Sequence, residues 1–128
     1  MSATKTDNMS TKNNAWQEIK DLWSQFTLRG PAMGRWTKPE IVCGDEPTKE
    51  AIVAIFDAVN QAVGVAYDCL QRCEQIATNN SATPFGRASI GFAIAVREAS
   101  GARVAVEAVV SARQQILEAW QRLPNVVA

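Results

Sequence analysis

The chain of 128 residues contains no histidine. Without imidazole, neither a Ser-His nor a Cys-His nucleophile can be built, and the side chain most used as a metal ligand is missing. Aromatic residues are also scarce, at 7%. Alanine and valine dominate instead, and such small side chains favour close helix stacking over a deep aromatic core. Neither sign of charge is in excess, with 13 Lys and Arg against 13 Asp and Glu. Zero net charge argues against nucleic acid as the main partner and permits assembly, because the repulsion that keeps highly charged proteins apart is lacking. The basic residues are scattered without interleaved aromatics, so a nucleic-acid face is unsupported. No apolar run of about 18 residues is free of charge, so no stable membrane insertion is expected. The apolar faces are too wide and too poor in Lys and Arg for a helix lying on a membrane surface. Met1 to Asn14 is polar throughout, so no signal peptide is expected and the expected location is cytoplasmic.

Cysteine is rare and does not form a disulfide framework. Of Cys43, Cys69 and Cys73, the last two lie one helical turn apart on a mostly apolar surface and read as buried free thiols in a reduced compartment. A zinc site would need two more ligands, and C-x3-C without a second pair is a weak signal. No metal, cofactor or catalytic residue is therefore assigned, and no enzymatic activity is expected.

What is present is helix. From Pro47 to Ala77, the residues Ile52, Phe56, Val59, Val63, Ala66, Leu70, Cys73 and Ala77 alternate steps of four and three, an unbroken heptad seam. A second seam beside it holds Ala51, Ile55, Ala58, Ala62, Val65, Cys69 and Ile76, with Arg72 in its line. Only a narrow polar strip remains, including Asp57, Gln61, Gly64, Asp68 and Gln71. A surface helix needs one apolar stripe about 100° wide. Two adjacent seams imply cover on most of the circumference, and the expectation is that other copies or a partner supply it. Gly64, mid-helix at a cost of about 1 kcal/mol, suggests close backbone approach or a tolerated kink.

Around this helix, residues 1–13 are rich in Ser, Thr, Asn and Lys and are expected to be a disordered arm. Trp16, Ile19, Trp23 and Phe26 make a short amphipathic helix over 14–28, capped by Asn13 or Asn14. Trp16 and Trp23 must be sheltered, either on the body of their own chain or as an anchor on a neighbouring subunit or partner. Residues 29–45 are a Gly/Pro-rich linker, with Glu40 to Cys43 a short strand or extended chain. Its glycines lack the spacing of a phosphate-binding loop. Asp45 or Glu46 begins the central helix over 46–78, with Pro47 in its first turn. A third helix over 84–123, capped by Thr83 with Pro84 first, is expected to break or bend near Ser100-Gly101. The fold expected is all-α: the short amphipathic helix and linker followed by a long antiparallel hairpin that self-associates, in a single domain over 14–128.

Residues 44–80 carry two Lys or Arg against six Asp or Glu, whereas 81–128 carry five against three. The central helix is thus acidic and the third mildly basic, which suits their packing. Asp57, Asp68 and Glu74 lie on one long helix with no cleft indicated for acid–base work, and read as a solvated or inter-subunit face.

Gly44 to Gln75 carries G-D-E-P, Ala51, the Ile55-Phe56 pair, Gln61-Ala62-Val63-Gly64-Val65-Ala66, then Gln71 and Gln75. This pattern resembles the R-body structural proteins, the "killing trait" family of small ribbon-forming subunits. The likeness covers about a quarter of the chain; the N-terminal Trp helix and the cysteines lie outside it. It implies a bacterial cytoplasmic protein that polymerises with itself, and with a paralogous subunit in some cases, into a ribbon. In some such systems the coiled ribbon extends on acidification and ruptures a membrane. The self-association surface would then be Ile52, Ile55, Phe56, Val59, Ala62, Val63, Gly64, Ala66 and Leu70. Asp57, Asp68 and Glu74 would be the acid-responsive groups, because no histidine is available and carboxylates crowded by like neighbours hold protons more tightly. The rival expectation is a small helical adaptor or anti-defence inhibitor acting as a discrete oligomer through Trp16 and Trp23.

Overall fold

Helix formation over the centre of the chain begins where a side chain can replace a missing backbone acceptor. Thr48 is extended, and its hydroxyl accepts from the Ala51 amide at 3.1 Å. The central helix α2 is Lys49–Ser81, so it starts just after the expected Asp45 or Glu46, which lie in the approach to the cap. Thr83 then caps a one-turn helix α3, Pro84–Arg87, with Pro84 in its first turn. That turn stops because Ser89 caps a new helix: its Oγ accepts from Phe92 N at 3.1 Å. Helix α4 is Ile90–Gln121.

The computed structural model describes the backbone of residues 3–123 and the side chains of residues 14–123. Its architecture is all-helical, without a strand among the described residues, and is dominated by the packing of α2 against α4. The two run antiparallel: Phe56 meets Trp120 with ring centroids 5.5 Å apart, and Glu74 pairs with Arg103 at 3.1 Å. The expected break at Ser100-Gly101 does not occur, and α4 is continuous through it. Gly101 serves packing instead. A Cβ there would lie 3.2 Å from Pro31 Cδ, so the missing side chain lets a neighbouring turn close onto the helix.

That turn is a 3₁₀ segment, Gly30–Arg35, entered at Gly30 with φ +82°. It follows helix α1, Ala3–Gln25. α1 begins upstream of the expected 14–28, leaving Asn13 and Asn14 inside the helix rather than at its cap. The arm expected over 1–13 concerns residues whose side chains, and at 1–2 whose backbone, lie outside the described residues, as do residues 124–128. From the 3₁₀ turn the chain returns alongside α1 without regular structure, and Glu40 to Cys43 is extended chain. Three contacts fasten this return. Trp36 packs edge-on against Phe26 at 5.6 Å. Lys38 Nζ donates to Trp23 O at 2.6 Å and Ser24 O at 3.1 Å, satisfying terminal carbonyls of α1. Trp16 Nε1–H donates to Gly44 O at 2.8 Å.

The core therefore contains α1 and its return as well as the hairpin. Trp16, Ile19, Trp23, Phe26 and Leu28 are all buried with Ile55, Val59, Val109 and Ile116. Fully burying an apolar side chain of this size contributes about 1.5–3 kcal/mol. Arg122 pairs with Glu18, tying the last turn of α4 to α1. By length and composition α2 would suffice to cross a bilayer; here it is the central core helix, with Ile52, Ile55, Val59, Ala62 and Ala66 buried.

Candidate assembly surface

Two seams on α2 are sheltered from Ala51 to Cys73 by the chain's own segments. Ile52, Ile55, Val59, Ala62, Val63 and Ala66 are buried within the chain. Phe56 and Leu70 are half-buried and packed on the same core. This corrects the expectation that these residues form the self-association surface. α4 supplies most of that cover and the Gly30–Arg35 turn adds to it, while α1 packs on α4; heptad counting along α2 alone could not register this. Gly64, the remaining member of that set, is exposed, with nothing within 4 Å of where a Cβ would stand. It does not serve close helix approach within the chain.

Of the two shelters expected for Trp16 and Trp23, the body of their own chain is the one found, and the partner-anchor reading is corrected. Trp16 and Trp23 are 1% and 6% exposed, so neither is free to grip a partner. The three candidate carboxylates are exposed. Asp68 pairs with Arg72 at 3.0 Å and Arg35 at 3.6 Å, and Glu74 with Arg103 at 3.1 Å. Asp57 borders a shallow hollow of about 330 Å³ formed with Phe56, Leu117 and Trp120. Along a helix rising 1.5 Å per residue, Asp57 and Asp68 stand about 16 Å apart. Within one chain they are therefore not crowded together.

Cys69 and Cys73 are buried free thiols. Burial, then the adjacent Cys69 and Glu98, pushes the Cys73 thiol up to about 11. Its Sγ–H donates toward Glu98 Oε2 at 3.9 Å. A thiol held protonated is a poor nucleophile and a poor metal ligand.

Val42, Met33, Val53, Tyr67 and Val104 stand exposed along the body of the chain, and a further group of uncovered apolar side chains is gathered at the far end of the hairpin, around α3. Phe85 is 89% exposed and Ile90 78%, with Ile76 and Ile94 about half exposed. Residues 75–96 carry a single charge, Arg87, whose guanidinium is held by the Ser81 carbonyl at 2.7 Å. Exposed apolar side chains gathered in one place are a candidate interaction site. Phe85, Ile90 and Ile94 were not singled out from sequence, although the uncharged run and the i,i+4 isoleucines were visible signals. A second unfilled feature lies further along α4. A groove of about 510 Å³ runs between the end of α1 and α4, walled by Leu22 and Phe26 on one side and Val104, Ala105, Ala108 and Ala112 on the other.

Comparison with profiles of known protein families, with curated proteins and with solved structures gives no match. The likeness to R-body subunits accordingly rests on Gly44 to Gln75 alone.

Proposed function

We propose that this protein is a non-enzymatic, self-associating helical subunit whose contacts are made by the bare end of the hairpin rather than by the seams of α2. The observation that carries this reading is the gathering of exposed Phe85, Ile90 and Ile94 on an almost uncharged stretch, where the other exposed apolar residues stand apart along the chain. Zero net charge supports it, because identical copies then meet without long-range repulsion. The resemblance to R-body subunits gives the reading a specific form, in which the assembled state is an extended ribbon. The rival reading, a discrete adaptor, loses its support with the burial of Trp16 and Trp23.

The test is analytical ultracentrifugation of the purified chain over a concentration series, with negative-stain microscopy of the same samples. Concentration-dependent growth supports self-association, and ribbons or sheets support the R-body form. A monomer at every concentration removes the proposal.

A further inference from the structure

The hollow beside Asp57 stands where the chain passes out of the described residues. Its apolar walls are Ile52, Val53, Phe56, Leu117 and Trp120, around about 330 Å³. Phe56, Leu117 and Trp120 are only half-buried, and Val53 is 48% exposed. Phe56 meets Trp120 across the antiparallel pair. Val53, one turn earlier on α2, therefore stands level with Leu123, one turn later on α4. The mouth of the hollow is thus beside the point where the chain leaves α4. Helix α1 cannot close it. Arg122 is held by Glu18 of α1, and Trp120 points about 200° around α4 from Arg122, away from α1.

We infer that the occupant of this hollow is residues 124–128 of the same chain, Pro-Asn-Val-Val-Ala, with Val126 and Val127 laid over Phe56, Leu117 and Trp120. Length and starting point carry the inference. Pro124 disfavours helical backbone at Leu123, so the chain turns off α4 there. Five extended residues reach about 17 Å. Leu117, the deepest wall on α4, lies about 9 Å back along the helix from Leu123. The larger groove beside α1 begins only at Gln115, about 12 Å back and on the side held by α1. The chemistry of the segment also fits. It carries no charge, and its two β-branched residues favour extended backbone. An extended segment needs partners for its amides and carbonyls. Asp57 and Asn60, at the rim of the hollow, offer an acceptor and a donor. Of the three acidic residues singled out on α2, Asp57 is the one without an ion pair among the described residues. The hollow lies at the opposite end of the hairpin from Phe85, so this inference is independent of the self-association reading.

The experiment labels the full-length chain with 5-fluorotryptophan and assigns the Trp120 fluorine resonance through Trp120→Phe. The double variant Val126→Ser with Val127→Ser keeps the length of the segment and Pro124. It should shift the Trp120 resonance and enlarge its difference between H₂O and D₂O, while those of Trp16, Trp23 and Trp36 stay in place. A chain stopped after Leu123 should show the same shift. An unmoved Trp120 resonance in the double variant overturns the inference. So does a shift seen only on truncation, which would report fraying of α4. Unlabelled full-length chain is then added to the labelled truncated chain. The Trp120 resonance should keep its shifted position. Its return to the parent position would mean that the segment arrives from a second copy, and would overturn the same-chain assignment.

Discussion

The two ends of the hairpin are built from similar residues and meet different fates. Near the start of α2 and the end of α4, Ala, Val and Ile pack against α1 and its return, and Ile55, Val59 and Ala119 are fully buried. Near α3, comparable residues have only each other, and Ile76, Phe85, Ile90 and Ile94 stand in solvent. The difference lies in cover rather than composition. The first end is a closed three-layer core; the second is a two-helix projection with an unfilled face. Hydrophobic content therefore does not by itself locate an interface, since the surface that matters is the part the chain leaves unsheltered.

The contrast is most sharply tested by truncating one large aromatic at each end. Trp16→Ala removes a buried ring and its hydrogen bond to Gly44, and is expected to cost about 3–5 kcal/mol in urea unfolding. Phe85→Ser should change the stability of the monomer by no more than about 0.5 kcal/mol. Equal losses would erase the distinction between a closed and an open end. Two glycines sharpen it next, with effects of opposite sign. Gly30→Ala forces a side chain onto φ +82° and to 3.2 Å from Gly101 O, a loss of about 1–3 kcal/mol. Gly64→Ala adds a methyl to open space in mid-helix, and thermal melts should show a gain of about 0.5–1 kcal/mol.

Much of this architecture was legible along the chain. The two long helices, the turn between them and the Thr83-Pro84 start follow from periodicity and capping chemistry. The break predicted at Ser100-Gly101 failed because a glycine inside a strong helix can serve a neighbour instead, here Pro31. The expectation that α2 needs cover from outside the chain failed for a related reason. Counting seams on one helix says how much cover it needs but not who supplies it, and here α4 and the Gly30–Arg35 turn supply it. Ser89 was overlooked as a cap because apolar residues continue on both sides of it. Phe85, Ile90 and Ile94 were overlooked because bare apolar residues look the same in sequence as buried ones.

Alkaline pH probes a buried group beside the open end, Cys73, which faces Glu98. Burial raises the Cys73 thiol from about 9 to about 11, so the folded chain keeps a proton that the unfolded chain gives up. The stabilisation is fully present below pH 9 and is lost as pH rises from about 9 to about 11. Cys73→Ala should flatten that part of the stability profile by an amount on the order of 1–3 kcal/mol, read by chemical denaturation at pH 8 and pH 11. The smallest effect is expected from the surface ion pairs. Asp68→Asn loses its contacts with Arg72 and Arg35, and exposed pairs of this kind contribute about 1 kcal/mol or less. Its assembly at neutral pH should match that of the parent.

Hydrogen–deuterium exchange at low and high protein concentration tests the central claim most directly. The account predicts that amides of residues 52–73 are protected equally at both concentrations, because their cover is internal. Protection over residues 85–96, at the bare end of the hairpin, should rise with concentration. A rise over residues 52–73 instead, with 85–96 unchanged, would contradict the account and return the contact to the seams of α2.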